Sequence, residues 1–248
     1  MSTESLILTS ILITIPLFVS YKEKLQLEKD IIVSMIRAVV QLLIVGYLLD
    51  IIFGLQSPIY TGVLVLIMVF NAALNTKQKG APIKHKCLIS FISILVGAII
   101  TLVVLIVSGA IEFTANEVVP VAGMIISNSM IAIGLSYRNL SSSFKDKRAQ
   151  VEVKLSLGAE IKEASHDIIR ESIKVAIMPS IDSAKTLGIV ALPGMMTGLI
   201  LGGTSPLVAV KFQIMVTFMI LSAASIATMI ATYWSYRAFF NKRKQLKK

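Results

Sequence analysis

The chain has 248 residues, of which 55% are hydrophobic and only 15% charged, and its mean hydropathy is +0.81. Soluble domains carry nearer a quarter of charged residues, so this composition excludes an ordinary soluble fold and points to lipid as the solvent. A net charge of +10 would suggest nucleic acid in a soluble protein; here the basic residues lie between and after apolar runs, so no nucleic-acid partner is expected.

Seven apolar runs follow in chain order, at about 5–21, 31–53, 58–75, 88–109, 118–137, 181–203 and 207–236. Most approach the ~20 residues that cross about 30 Å of hydrocarbon. In lipid only a helix satisfies its own backbone polar groups, and the alternation of a membrane barrel is absent. The expected fold is therefore an all-α membrane protein, a polytopic bundle of about seven transmembrane helices forming one domain over residues 1–248. The first run lacks a basic leader and a small-residue cleavage site, and reads as a retained helix. The last is about 30 residues and is expected to tilt or project.

Twenty-one of the 24 Lys and Arg residues fall at 21–30, 76–87, 138–174 and in the tail 237–248. The alternate loops hold Glu112 and Glu117 and almost no positive charge. The positive-inside rule then puts the N-terminus outside and the C-terminus in the cytoplasm of a plasma-membrane protein. The single cysteine, Cys87, excludes an intramolecular disulfide.

Polar residues inside spans are few and carry weight. Arg37 and Gln41 stand one turn apart on the second run, with Asp50 nearer its outer end. Arg37 either snorkels to the cytoplasmic boundary or serves a polar site. Asn71 and Asn75 are also one turn apart, and Asn128-Ser129 falls in mid-span. Asparagines so placed either bond neighbouring helices or face a path.

Residues 138–178 form a long polar insert, with Ser141, Ser142 and Ser143 expected as a hinge or cap. Leu157, Ile161, Ala164 and Ile168 recur at helical spacing, which predicts an amphipathic helix on the membrane surface or against a cytoplasmic partner. Within it Glu152, followed six residues later by Gly158 and Ala159, resembles the Glu-Ala-Ala…Gly element that couples importer permeases to their ATPases. Val153 and Lys154 replace the two alanines, and the Leu-Pro of that element has no counterpart. Glycine there permits a sharp turn and close approach.

The sixth run is interrupted by Pro193-Gly194, expected midway along a spanning helix that Pro179 begins. Irregular backbone at membrane depth must face protein or water, so Pro193, Gly194, Met195, Met196 and Thr197, with Asn128 facing them, are the candidate substrate path. Gly198, Gly202 and Gly203 suit close helix contact, and a packing kink is the alternative reading. Asp182 and Lys185 share one face at the cytoplasmic entry and are candidates for pairing or gating. Met124, Met130, Met195 and Met196 offer thioethers for soft ions or serve as apolar filling, so metal ligands stay unassigned. No Gly-x-x-x-x-Gly-Lys-Ser/Thr occurs, so any ATP used must be hydrolysed by another chain.

Arg37-x-x-x-Gln41-Leu42 with Gly46, Gly123-Met124 with Asn128-Ser129-Met130, Pro179-Ser180-Ile181-Asp182-Ser183, and Leu192-Pro193-Gly194-Met195-Met196-Thr197-Gly198 followed by Gln213 resemble the FetB-type permeases. These are membrane subunits of bacterial iron-export ABC transporters, related to plant aluminium-tolerance proteins, and the likeness spans nearly the whole chain. It implies a non-enzymatic permease that binds no cofactor itself. The implied complex pairs two permeases with two separate ABC ATPase subunits. The implied cargo is iron or another metal ion, in the setting of metal homeostasis and oxidative-stress resistance. A nucleotide sugar is the alternative cargo, given the plant relatives. A membrane scaffold or sensor and an ion-gradient-driven transporter are the rival classes.

Overall fold

In the computed structural model, residues 4, 8–55, 57–77, 83 and 85–247 are described. The chain divides into two units, residues 1–56 and residues 57–248.

In the first unit a 3-10 turn, Ser10–Ile13, leads into α1 (Thr14–Lys22), and α2 spans Glu28–Leu55. The connection between the helices is set by Ser20. Its Oγ donates to Glu28 Oε1 at 2.7 Å and accepts from the Leu27 amide at 3.1 Å, so one buried hydroxyl fastens both ends of the bend.

The second unit holds α3 (Pro58–Lys77), α4 (Lys86–Val107), α5 (Ala115–Asp146), α6 (Arg148–Ser156), α7 (Ile161–Ala164), α8 (His166–Thr186), α9 (Gly194–Leu201) and α10 (Pro206–Ser235). Helix α10 starts at Ser205 in extended conformation with Pro206 in the first turn, where the missing N–H costs nothing. It packs along α4 and α5; α3 lies against α4 and α5, and α8 against α5 and α10.

Small residues make this packing close. Ala223, Ala224, Ala227 and Ala231 on α10 are fully buried. A Cβ built on Gly97 of α4 would stand 3.0 Å from the Ala223 carbonyl oxygen and 3.4 Å from Ala227 Cβ. Polar side chains bridge the same helices: Ser136 Oγ and Thr232 Oγ1 are 2.6 Å apart, and Thr76 Oγ1 donates to Ser90 Oγ at 2.7 Å. Ser90 Oγ lies 3.0 Å from the hydroxyl of the fully buried Tyr137. Without a hydrophobic force between helices in lipid, such contacts and tight van der Waals packing hold the bundle. Gly97→Val is expected to pry α4 from α10 and cost about 1–3 kcal/mol. The check is a lower melting temperature of the detergent-solubilised protein, with Gly109→Val, at an open site but a left-handed φ of 69°, as the backbone-strain control.

The expected all-α polytopic class holds, while several boundaries change. Among the described residues five helices are long and apolar enough to cross a membrane: Glu28–Asp50, Pro58–Thr76, Lys86–Val107, Ala115–Asp146 and Pro206–Phe239. The expected span 5–21 corresponds to the shorter apolar stretch Ser10–Lys22, with residues 5–7 outside the described residues. The expected span 181–203 is not one helix. Helix α8 stops at Thr186, Gly188 turns at φ 78°, and Pro193 stands in extended conformation as the cap of α9. A proline with no N–H to give and a glycine in a left-handed turn end one helix and start another, instead of kinking a single one. Pro179 lies inside α8 rather than beginning the span.

The insert also differs from expectation. Ser141, Ser142 and Ser143 are not a hinge, because α5 runs unbroken to Asp146. The amphipathic pattern over 157–168 is divided by a turn at Gly158: Ala164 and Ile168 are buried, but Leu157 is 83% exposed. Within this chain Gly198 and Gly203 meet nothing within 4 Å and Gly202 meets only the carbonyls of Gly198 and Leu199, whereas Gly97 sits in a close approach between helices.

Candidate functional site

The break between α8 and α9 opens onto a cavity of about 470 Å³. Asn128, Pro193, Gly194 and Met195 line it, as expected, and so do Met124, Gln213 and Thr217, of which only Met124 and Gln213 carried any sequence signal. Met196 and Thr197 are not among its lining residues. Thr197 instead closes the first turn of α9, its Oγ1 donating to the Pro193 carbonyl at 3.1 Å. Asp182 and Lys185 lie outside the lining and pair at 2.8 Å on an exposed face of α8. Arg37 and Gln41 lie in the first unit, exposed one turn apart on α2.

The polar character of the cavity follows from backbone accounting. On the α8 side two carbonyls are occupied: that of Thr186 receives the amides of Ile189, Val190 and Ala191, at 3.3, 3.0 and 3.4 Å, and that of Ser183 accepts from Thr186 Oγ1 at 3.0 Å. On the α9 side donors are free. The first amide of that helix to find a carbonyl is Thr197, bonded to Pro193 at 2.9 Å, and no side chain caps Gly194, Met195 or Met196. Gln213 Oε1 is buried with no hydrogen-bond partner. Asn128 Nδ2 is held by the Met124 carbonyl of its own helix at 2.8 Å. Among the described residues no three His, Cys, Asp or Glu side chains gather into a metal-binding group. The cavity therefore offers amide, carbonyl and thioether groups with no carboxylate.

A second site forms at the other end of the unit. Helix α6 ends in a Schellman turn: the Gly158 amide donates to Leu155 at 3.0 Å and the Ala159 amide to Lys154 at 3.1 Å, with Gly158 at φ 90°. Glu160 caps α7 through reciprocal bonds with Glu163. Glu152 sits within α6, paired to Arg148 at 2.8 Å, and not at the turn itself. Lys154 Nζ, 2.8 Å from Asp167 Oδ2, ties α6 to the start of α8 and holds that carboxyl below its ordinary range. Glu152, Gly158 and Ala159 all line one cleft of about 960 Å³. Its opposite wall, Asn241 and Arg243 to Lys247, carried no sequence signal beyond charge.

Asn139, which the sequence left unremarked, connects this end to the cavity. Its Oδ1 accepts from Ser172 Oγ of α8 at 2.9 Å and from Ser143 Oγ at 3.3 Å, locking α8 to α5. Helix α8 then continues from the insert to the cavity wall at Ser180, Ser183 and Ala184.

A multi-pass helical membrane protein with a broken-helix cavity and a turn presented beyond the bundle is the class that these features define. The Uncharacterised protein family (UPF0014) matches residues 3–240, and the chain belongs to that family. It is 51% identical to the Probable iron export permease protein FetB of Escherichia coli, over 99% of this chain and 95% of that protein. It is 37% identical to the UPF0014 membrane protein YjkA of Bacillus subtilis, over 98% and 97% of the two chains. It is 32% identical to the Arabidopsis thaliana Protein ALUMINUM SENSITIVE 3, over 95% of this chain and 86% of that one. No solved structure matches it.

Proposed function

We propose that this chain is the permease subunit of an ABC transporter that exports iron, working as a homodimer with two copies of a separate ATPase. The observation that carries this reading is the run of α8 from His166, beside the Lys154–Asp167 pair that ties it to α6, to the cavity wall at Ser180, Ser183 and Ala184. A push delivered at the turn reaches α8 through α7 and the Lys154–Asp167 pair, and α8 carries it to the cavity wall, which is the mechanical link an ATP-driven permease needs. The similarity to a protein named as an iron export permease supplies the cargo.

In this reading Asn128, Gln213, Met124 and Met195 pass the metal by amide oxygen and thioether contacts. Weak, multiple contacts suit a path that must release what it binds. ATP is bound by the partner, and this chain hydrolyses nothing. The N-terminus lies outside and the C-terminus inside. The tail and the 138–178 insert line the same cleft, so both basic segments stand on one side of the membrane, as this orientation requires.

A second reading, export of an anionic solute such as a nucleotide sugar, has one observation in its favour. The uncapped N-terminus of α9 presents free donors to the cavity, and helix N-termini favour negative charge. The two readings part in proteoliposomes containing the permease and its ATPase. Ferrous iron under anaerobic conditions is expected to stimulate ATP hydrolysis severalfold and to move with it. Stimulation by a nucleotide sugar with none by iron would overturn the iron reading and establish the second.

A further inference from the structure

We propose that the C-terminal hairpin, residues 240–247, is the second wall of the surface that receives the ATPase subunit, and that the ATPase meets it with an acidic face. This rests on the coupling role proposed above for the Gly158 turn. The tail was expected only to hold the C-terminus in the cytoplasm; in the structure it is folded and fastened to α6.

Three sets of contacts fix it. Phe144, at the end of α5, stacks on Phe239 with ring centroids 4.4 Å apart and meets Phe240 edge-on at 5.7 Å. Phe240 and Leu246 are buried and pair as an antiparallel bridge. Asn241 closes the hairpin, its Oδ1 accepting from the Arg243 and Gln245 amides, both at 2.9 Å. Arg148 then joins the walls: its Nε donates to Glu152 Oε1 at 2.8 Å on α6, and its Nη1 to the Lys247 carbonyl at 3.1 Å. The coupling helix and the hairpin are thus one body.

The chemistry of the cleft selects the partner. Arg148 and Glu152 neutralise each other, and Glu160, bonded to a backbone amide in its capping box, is the one remaining carboxylate of the lining. Against it stand Arg243, Lys244 and Lys247, which line the cleft with no carboxylate partner among the described residues. Lys244 is held at φ 60° at the tip, a conformation that a non-glycine residue adopts only when its surroundings impose it. The net positive charge this leaves beside the coupling turn is complementary to an acidic surface, and such pairing governs association rate and salt dependence.

The test is ATPase affinity in nanodiscs made only of zwitterionic lipid, comparing wild type with the exposed double reversal R243E/K244E. The expected result is about tenfold weaker binding, largely lost as a difference at high salt. The truncation removing residues 240–248 is expected to show at least the same loss. Unchanged affinity and salt dependence in the double reversal, with Gly158→Trp abolishing binding, would overturn the hairpin's role and leave the coupling turn standing. If Gly158→Trp also binds normally, the coupling reading falls and the hairpin proposal with it. A defect that arises only when anionic lipid is added would assign the two cations to the membrane surface, and would equally overturn the proposal.

Discussion

Gly158→Trp is expected to leave the permease folded and inserted while lowering its affinity for the ATPase at least tenfold and removing its stimulation of hydrolysis. The turn supplies the reason. Gly158 is the left-handed residue of the Schellman motif ending α6, at φ 90°, and no atom lies within 4 Å of where its Cβ would be. A side chain there clashes with nothing inside the chain; its intrinsic cost is the left-handed backbone, roughly 1–2 kcal/mol. Gly158→Ala carries that same cost and projects only one carbon, so it is expected to bind and stimulate nearly as wild type. Tryptophan fills the space in front of the turn beside the exposed Val153 and Leu157. A tenfold loss corresponds to about 1.4 kcal/mol, within reach of steric exclusion from a close contact. The pair separates strain from occlusion. If isothermal titration and hydrolysis assays give wild-type values for the tryptophan variant, no partner docks at this turn.

Gln213→Leu is expected to cut transport by tenfold or more without destabilising the protein. The two readouts point in opposite directions, which makes the result informative. Gln213 Oε1 is buried and unpartnered, a state that costs about 1–3 kcal/mol of folding free energy. Removing it with leucine, which keeps most of the volume, should leave the melting temperature unchanged or raise it. A residue retained only for packing would then be improved by the change. If the oxygen is kept because cargo satisfies it, transport falls while complex assembly and basal ATP hydrolysis persist. The methionines provide an internal comparison: Met195 lines the cavity and Met196 does not. Met195→Leu should slow transport if thioether contacts matter, and Met196→Leu should be silent. Flux measured in proteoliposomes decides both; full transport by Gln213→Leu would remove this cavity from the path.

The sequence by itself determined the solvent, the helical class and the basic loops, because each depends on local composition. Length and apolarity dictate helices in lipid wherever they occur, and α3, α4, α5 and α10 lie close to where hydropathy puts them. Asn128, Pro193, Gly194 and Met195 were also legible, since an amide or a proline inside an apolar run is conspicuous without knowledge of its neighbours. The tertiary structure decided what depends on partners far along the chain. Whether Pro193 kinks one helix or starts another depends on Gly188 and the hydrogen bonds at Thr186. Which glycine permits close approach was settled by the Ala223 carbonyl facing Gly97, 126 positions away and invisible to any local pattern. Gln213 and Asn128 line the same cavity only because α10 packs along α5. The tail, by its sequence merely a basic terminus, becomes a wall of the cytoplasmic cleft because Phe144 and Arg148 stand where Phe239 and Lys247 can reach them.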